Sequence, residues 1–269
     1  MKLQVLTWTP SRYAKWKECP RKVKYEDLLK LCPACFKGKV RGGFNGEPVV
    51  CDTCSKPQPE RGPLDRGNRL DDALTHHLMP HAGARPETQV EALTEATRHP
   101  AIAKMLKALR KAKGVSAQES IVLNNKWERV SQYTKDAWAR LKLDVLQLTP
   151  KVAKIIDWKS GNIDKRTQQI RERGEYADSM LAYQIAVLHC YPQAEATATM
   201  AFLDAPPKLT VPFKDIAPLK RSGLEKARKE WERKIEGMMA DEDFSPRPGY
   251  YCNWCPFSSK NKGGPCKEG

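Results

Sequence analysis

Residues 139–161, ARLKLDVLQLTPKVAKIIDWKSG, restrict the fold of this chain more than any other segment. Two runs rich in apolar and β-branched residues, 138–146 and 152–158, read as successive strands of one sheet. Asp144 lies in the first run and Asp157 ends the second, so a hairpin connection brings both carboxylates to one edge of that sheet. Lys159 follows Asp157 by two positions, and period-two alternation puts the two side chains on one face. Such oxygen ligands suit a hard cation, Mg²⁺ or Mn²⁺. A metal-bound carboxylate beside an ammonium suits phosphodiester hydrolysis: the metal polarises a phosphate oxygen and acidifies water, while the lysine positions that water or offsets developing charge. An ordinary Asp/Lys pair at a strand end is the alternative, since strands commonly finish in charged residues.

The surrounding pattern is mixed. Thr9-Pro10-Ser11 is a helix start, with Thr9 as cap and Pro10 at the first helical position, leading into residues 12–24 with Tyr13, Trp16 and Val23 as the apolar stripe. Residues 64–79 and 86–113 carry apolar side chains at helical spacing, the second stretch ending at Gly114. A strand at 120–123 precedes the two above, a helix at 178–190 follows them, and then come a fourth strand at 197–203 and a charged amphipathic helix at 217–239. This order gives an α/β layered core with a mixed sheet. The expected parts are an N-terminal helix at 1–30, an insertion at 31–59, a helical region at 60–114, the core at 115–240, and a cysteine-rich segment at 241–269 that packs back on the N-terminus. There is no internal repeat, and no Gly-rich phosphate loop that would mark an ATP-driven motor.

The nine cysteines cluster in short pairs, which in a reducing compartment points to metal ligands rather than bridges. Cys32-x2-Cys35 and Cys51-x2-Cys54 are separated by fifteen residues. Four thiolates from two tight knuckles suit tetrahedral Zn²⁺, whereas a redox site needs only one pair. Zinc would hold up a segment with too little apolar content to fold alone. Lys37, Lys39, Arg41 and Lys56 surround it and would let it touch nucleic acid. Cys252, Cys255 and Cys266 need a fourth ligand, and Cys19 is the candidate. Cys190, on an apolar helix, reads as a packing residue.

Charge narrows the partners. The 269 residues carry 47 Lys or Arg against 32 Asp or Glu, a net charge of +15, and eleven of the basic residues against three acids fall within 1–43. A partner with a dense row of phosphates fits, nucleic acid first. Arg12, Lys15, Arg21 and Lys22 are the candidate contacts, and Trp16 among them can stack on a base. The other tryptophans read as core. An acidic membrane surface fits less well, because no amphipathic helix joins these residues to a wide apolar face. No run approaches the roughly 20 apolar residues of a membrane helix, and residues 1–10 lack the apolar run of a signal peptide. His76, His77, His81, His99 and His189 show no paired ligand spacing and read as surface or packing residues. With 40% hydrophobic and 29% charged residues, the composition is that of a folded globular protein with a core independent of disulfides.

The chain resembles the PD-(D/E)xK nuclease superfamily, and within it the RecB-like branch that includes CRISPR-adaptation nucleases and many phage exonucleases. The elements come in the family's order over most of the chain: an opening helix with Glu18-Cys19-Pro20-Arg21-Lys22, a later helix containing Gly67, then Asp144, then Ile156-Asp157-Trp158-Lys159-Ser160-Gly161, then Gln184. The resemblance implies a restriction-endonuclease-like core, a mixed central sheet flanked by helices, to which a zinc-ribbon insertion and the cysteine-rich end are added. It implies that Asp144 and Asp157 bind the catalytic metal, that Lys159 assists catalysis, and that Gln184 organises the site and the DNA backbone. Where the family has Gly-x-x-apolar-His with a metal-binding histidine, this chain has Asp71 after Gly67-Asn68-Arg69-Leu70. An aspartate can take that place, with Asp72 and His76 as lesser candidates. The family's tyrosine four residues after the glutamine is Leu188 here, which leaves Tyr183 or Tyr191, and Glu119 stands where the family often has a glutamate. One N-terminal and three C-terminal cysteines resemble the branch's 4Fe-4S arrangement, which ties the chain ends together. The ten residues between Cys255 and Cys266 exceed the usual spacing, so zinc or no metal stays open for Cys19, Cys252, Cys255 and Cys266. The implied activity is that of a metal-dependent DNA nuclease, an exonuclease needing a strand end, in recombination, repair or phage DNA processing. DNA is the implied partner, together with a helicase or strand-annealing recombinase. The implied location is the cytoplasm of a bacterial or phage-infected cell, with no membrane contact. A catalytically inactive adaptor built on the same fold and binding DNA is the alternative.

Overall fold

The computed structural model describes residues 5–41, 50–54, 63–80, 87–161, 170, 174–209, 211–260 and 263–268. Lys56, His81 and much of the 31–59 insertion lie outside them. The chain falls into two compact units, residues 1–60 with 232–269 and residues 61–231.

In the first unit Thr9 Oγ1 accepts the Arg12 N–H at 3.0 Å and opens α1 (Pro10–Glu18). The single helix expected over 12–24 is interrupted. Cys19 precedes Pro20 and is extended at φ −161°, because the proline ring pushes its predecessor out of the α region. α2 (Pro20–Val23) restarts the helix and passes into a π turn at Lys24–Leu28. β1 (Val40–Arg41) and β2 (Val50–Cys51) then pair antiparallel. The C-terminal residues of the unit meet these first helices: Trp16 Nε1 donates to Asp241 Oδ2 at 2.7 Å, Arg21 Nε to Phe244 O at 2.8 Å, and Arg247 Nη1 to Lys17 O at 3.0 Å.

The second unit begins with α3 (Pro63–Leu78), α4 (Glu87–Ala96) and α5 (Pro100–Lys111). Again a proline splits one expected helix, 86–113, into two. His99, ahead of Pro100, is extended and caps α5 by accepting the Ala101 N–H at its Nδ1, 3.2 Å away. The sheet follows: β3 (Val115–Leu123), β4 (Ala139–Leu148), β5 (Val152–Lys159), then the crossover helix α6 (Gly174–Cys190), β6 (Glu195–Phe202) and β7 (Phe213–Lys220). Spatial order is β3-β4-β5-β6-β7, with β5 and β6 parallel and every other pair antiparallel. β7 occupies the start of the helix expected at 217–239. Pro218 hides it from a strand reading, and an edge strand is where a sheet tolerates proline. α7 (Leu224–Met239) starts later and buries Leu224, Ala227, Trp231, Ile235 and Met238, spaced three or four apart, with its charged face outward.

Leu70 and Leu74 of α3, with Ile102 and Leu106 of α5, pack against Val145, Ile156, Trp158 and Ala201 of the sheet. Each buried leucine contributes about 1.5–3 kcal/mol relative to exposure. The contacts of Leu70 and Leu74 fix the turn of α3 that carries Asp71.

Candidate active site

β4 and β5 pair from Leu148↔Ala153 to Val145↔Ile156, so Asp144 and Asp157 come next in the register. There a side chain takes over from the ladder: Asp144 Oδ2 accepts the Trp158 N–H at 2.7 Å. On the other side of β4, the pairs Ala117↔Val145 and Glu119↔Leu143 bracket Gln118 and Asp144. Gln118, Asp144 and Asp157 thus stand at one level across three neighbouring strands. Gln118 has φ +56°, in the left-handed region that a residue with a side chain enters at a cost of order 1–3 kcal/mol. Its Nε2 lies 2.8 Å from both carboxylate oxygens of Asp71 on α3. Lys159 Nζ lies 2.5 Å from Asp157 Oδ2 and 5.0 Å from the centre of the Tyr176 ring.

Three carboxyl groups drawn together away from water resist ionisation. Burial pushes the Asp144 pKa well above the usual carboxylate range, and Asp157 and Asp71 push it further, against the Trp158 N–H and Lys159. Burial also raises Asp157, opposed by Lys159. At Asp71 burial again leads upward, with Asp72 and Asp157 adding to it and Lys142 and the Gln118 amide opposing. Burial works against the Lys159 ammonium, but Asp157 and Asp144 outweigh it and hold the pKa up. The Tyr183 hydroxyl is pushed up by burial and by the same two aspartates.

The segment after Lys159 is tied to the helical layer. A Cβ on Gly67 would stand 3.0 Å from Ser160 Oγ, so α3 approaches this turn as closely as a glycine permits. Arg66 Nε donates to Glu95 Oε1 at 2.7 Å, and its Nη2 pairs with Asp204, which also accepts the Gly161 N–H.

The structure therefore brings Asp71, Asp144, Asp157 and Lys159 together with Tyr183, one of the two candidate tyrosines, and adds Gln118. It does not bring Gln184. That amide is fully buried and donates to the carbonyls of Ala196 and Ala217, 3.0 Å each, because successive helical residues point about 100° apart and Tyr183 faces the carboxylates instead. Glu119 accepts from Arg129 Nη2 at 2.7 Å and from the Tyr191 hydroxyl at 2.9 Å, in a cluster of its own. Asp72 is exposed. The basic residues expected to meet nucleic acid have partners inside the first unit: Arg12 at Thr7 O, Lys15 at Glu26 and Asp27, Lys22 at Glu18, and Arg21 at Phe244 O. Arg247 covers the Trp16 ring, 4.6 Å from its centre.

None of the nine cysteines forms a disulfide. The sulfurs of Cys32, Cys35, Cys51 and Cys54 lie within 4.8 Å of one another and can hold a tetrahedral Zn²⁺. Backbone N–H groups of Gly38 and Lys37 lead in lowering the Cys35 thiol to about 6, which readies a thiolate. Cys19, Cys252, Cys255 and Cys266 line one cavity together with Glu18, Lys22 and Glu268. Burial pushes the Cys255 and Cys266 thiols up.

The sequence matches the PD-(D/E)XK nuclease superfamily over residues 7–259. The chain belongs to this family. Solved structures similar to this chain include two named as exonucleases. A protein assigned as an exonuclease from Eubacterium rectale shares 14% identity at TM-score 0.38, over 75% of this chain and 76% of its own. An alkaline exonuclease from Laribacter hongkongensis shares 9% at TM-score 0.28, over 66% of this chain and 93% of its own. Both scores are low, and the family assignment rests on the sequence match. No curated protein matches the chain. No helix among the described residues is long and apolar enough to cross a membrane.

Proposed function

We propose that this nuclease is a Mg²⁺- or Mn²⁺-dependent deoxyribonuclease that works as an exonuclease on DNA ends, in recombination, repair or phage DNA processing. The placement of Asp144 and Asp157 at one level of neighbouring strands, with Asp71 near enough for its charge to act on Asp144, carries the reading: acids withdrawn from water and set beside one another suit a divalent cation that offsets their charge. Bound there, the metal supplies a polarised phosphate oxygen and a water acidified toward hydroxide. The protein's own groups orient and balance charge. The Trp158 N–H holds Asp144, Gln118 holds Asp71, and Lys159 keeps its proton beside Asp157, where it can offset charge developing on a phosphate. The chain's +15 charge supports a phosphate-rich substrate. A binder without chemistry gains little from such acids, which repel phosphates unless a cation bridges them.

Two further groups complete the proposal. Zn²⁺ fits Cys32, Cys35, Cys51 and Cys54, whose sulfurs converge as a single ion requires. A 4Fe-4S cluster fits Cys19, Cys252, Cys255 and Cys266, four thiols that line one cavity. Metal analysis of anaerobically purified protein should find about one zinc and four irons per chain.

The deciding test incubates end-labelled linear and closed circular DNA, single- and double-stranded, with Mg²⁺ or Mn²⁺, beside Asp157→Ala and Lys159→Ala. Loss of linear DNA that both changes abolish, with circles surviving, supports the exonuclease. Intact DNA under every metal, with binding retained, leaves an adaptor that kept the fold.

A further inference from the structure

Lys142 and Arg140 lie two and four residues before Asp144 on β4. Burial alternates along this stretch: Ala139, Leu141 and Leu143 are buried, Arg140 and Lys142 exposed, and Asp144 intermediate. No residue of β4 has a positive φ, so the even-numbered side chains share one face. Lys142 stands near enough to Asp71 for its charge to act there. Among the described residues its ammonium has no ion pair and no hydrogen bond. Arg140 donates Nη1 to Gln132 O at 2.6 Å, which leaves most of a five-donor guanidinium available. Lys142 thus differs from Arg12, Lys15 and Lys22, whose charged ends meet carboxylates within the protein, and Arg140, like Arg21, spends one donor on a carbonyl.

Residues two apart on a strand are about 6.5–7 Å apart, a spacing comparable to that of neighbouring phosphates along one nucleic-acid strand. We infer that Lys142 and Arg140 bind the next two phosphates of the DNA strand whose scissile phosphate lies at Asp144 and Asp157. They form a sequence-blind track that leads the backbone along β4 to the carboxylates. The inference rests on the nuclease reading for the position of the scissile phosphate.

Binding of fluorescein-labelled 20-nucleotide DNA, single-stranded and duplex, can be followed by anisotropy in Ca²⁺ at several NaCl concentrations, with cleavage in Mg²⁺ assayed in parallel. Lys142→Gln and Arg140→Gln should each weaken binding about three- to tenfold, equally for unrelated sequences, and each should make the slope of log K against log salt shallower by about 1. Lys142→Arg should restore the slope. Lys154→Gln, exposed on β5 three residues from Asp157 and so on the opposite face, should leave it unchanged. Cleavage with wild-type slopes in Lys142→Gln and Arg140→Gln overturns the track and leaves the nuclease reading intact. Shallower slopes in a protein that cleaves nothing keep the track and remove the nuclease reading. A protein that binds no DNA overturns both.

Discussion

At the residue scale, Gln118 shows what a single torsion can do. Its left-handed backbone interrupts β3 opposite Asp144 and turns a neutral amide onto both oxygens of Asp71. Holding a carboxylate with an uncharged donor fixes its direction while leaving its charge for a cation. Gln118→Ala should weaken Mn²⁺ binding about 10- to 100-fold, the usual cost of losing a group that orients a ligand. Gln118→Gly separates strain from hydrogen bonding, since glycine adopts the same φ freely. It should melt no lower than the alanine variant yet bind Mn²⁺ as weakly, as calorimetric titration and thermal melts of both proteins would show. None of this is legible in the sequence, where Gln118 is one more polar residue near a strand. Asp157 and Lys159 are legible, because strand alternation alone places them on one side. Tyr183 and Gln184 are adjacent letters but face about 100° apart, and only the packed helix decides which one meets the acids.

At the scale of elements, the differences from the sequence reading have local causes. Pro20 and Pro100 each divide what apolar periodicity presents as one helix, and the extended residues ahead of them, Cys19 and His99, become functional parts of the break: a cavity-lining thiol and a cap. Aromatic residues mislead similarly. Trp254, expected in the core, is 63% exposed and meets Tyr250, itself 77% exposed, edge to face with ring centres 4.3 Å apart. The cysteine ribbon depends on one small residue: a Cβ at Gly38 would collide with Cys51 Sγ, Thr53 Oγ1 and Asp52 Oδ1. Gly38→Ala should therefore lower the zinc content of purified protein by half or more while leaving iron at its wild-type level, which elemental analysis would reveal. Loss of both metals together would instead make the ribbon a support for the other cysteines.

At the scale of the whole molecule, the carboxylate row sets the dependence of stability on pH. Asp71, Asp144 and Asp157 all have folded pKa values above the ordinary value of about 3.9, so between these limits the folded state binds more protons than the unfolded chain. Without metal, the contribution of these three groups to stability should fall as pH rises from about 4 to the raised pKa values and level off above them, against the opposite contribution of Asp204, whose pKa is lowered. A cation that binds only the folded state opposes this, by about 2.7 kcal/mol at a hundred times its Kd. Asp144→Asn replaces a carboxyl that is costly to ionise in this place with a neutral amide. In EDTA at pH 7 it should melt about 2–4 °C higher than wild type, equivalent to about 1 kcal/mol, and should no longer gain from Mn²⁺. Scanning calorimetry from pH 4 to 8, with EDTA or Mn²⁺, checks both signs; an advantage of Asp144→Asn over wild type in EDTA that does not grow with pH would refute the account.

The hydrogen bond from the Trp158 amide to Asp144 Oδ2 also makes the backbone a witness to the chemistry. At that amide proton the donor belongs to the sheet and the acceptor to the site. Whatever alters the charge of Asp144, a proton or a cation, changes the field felt by one main-chain nucleus, which a ¹⁵N-resolved spectrum can single out without substrate or turnover.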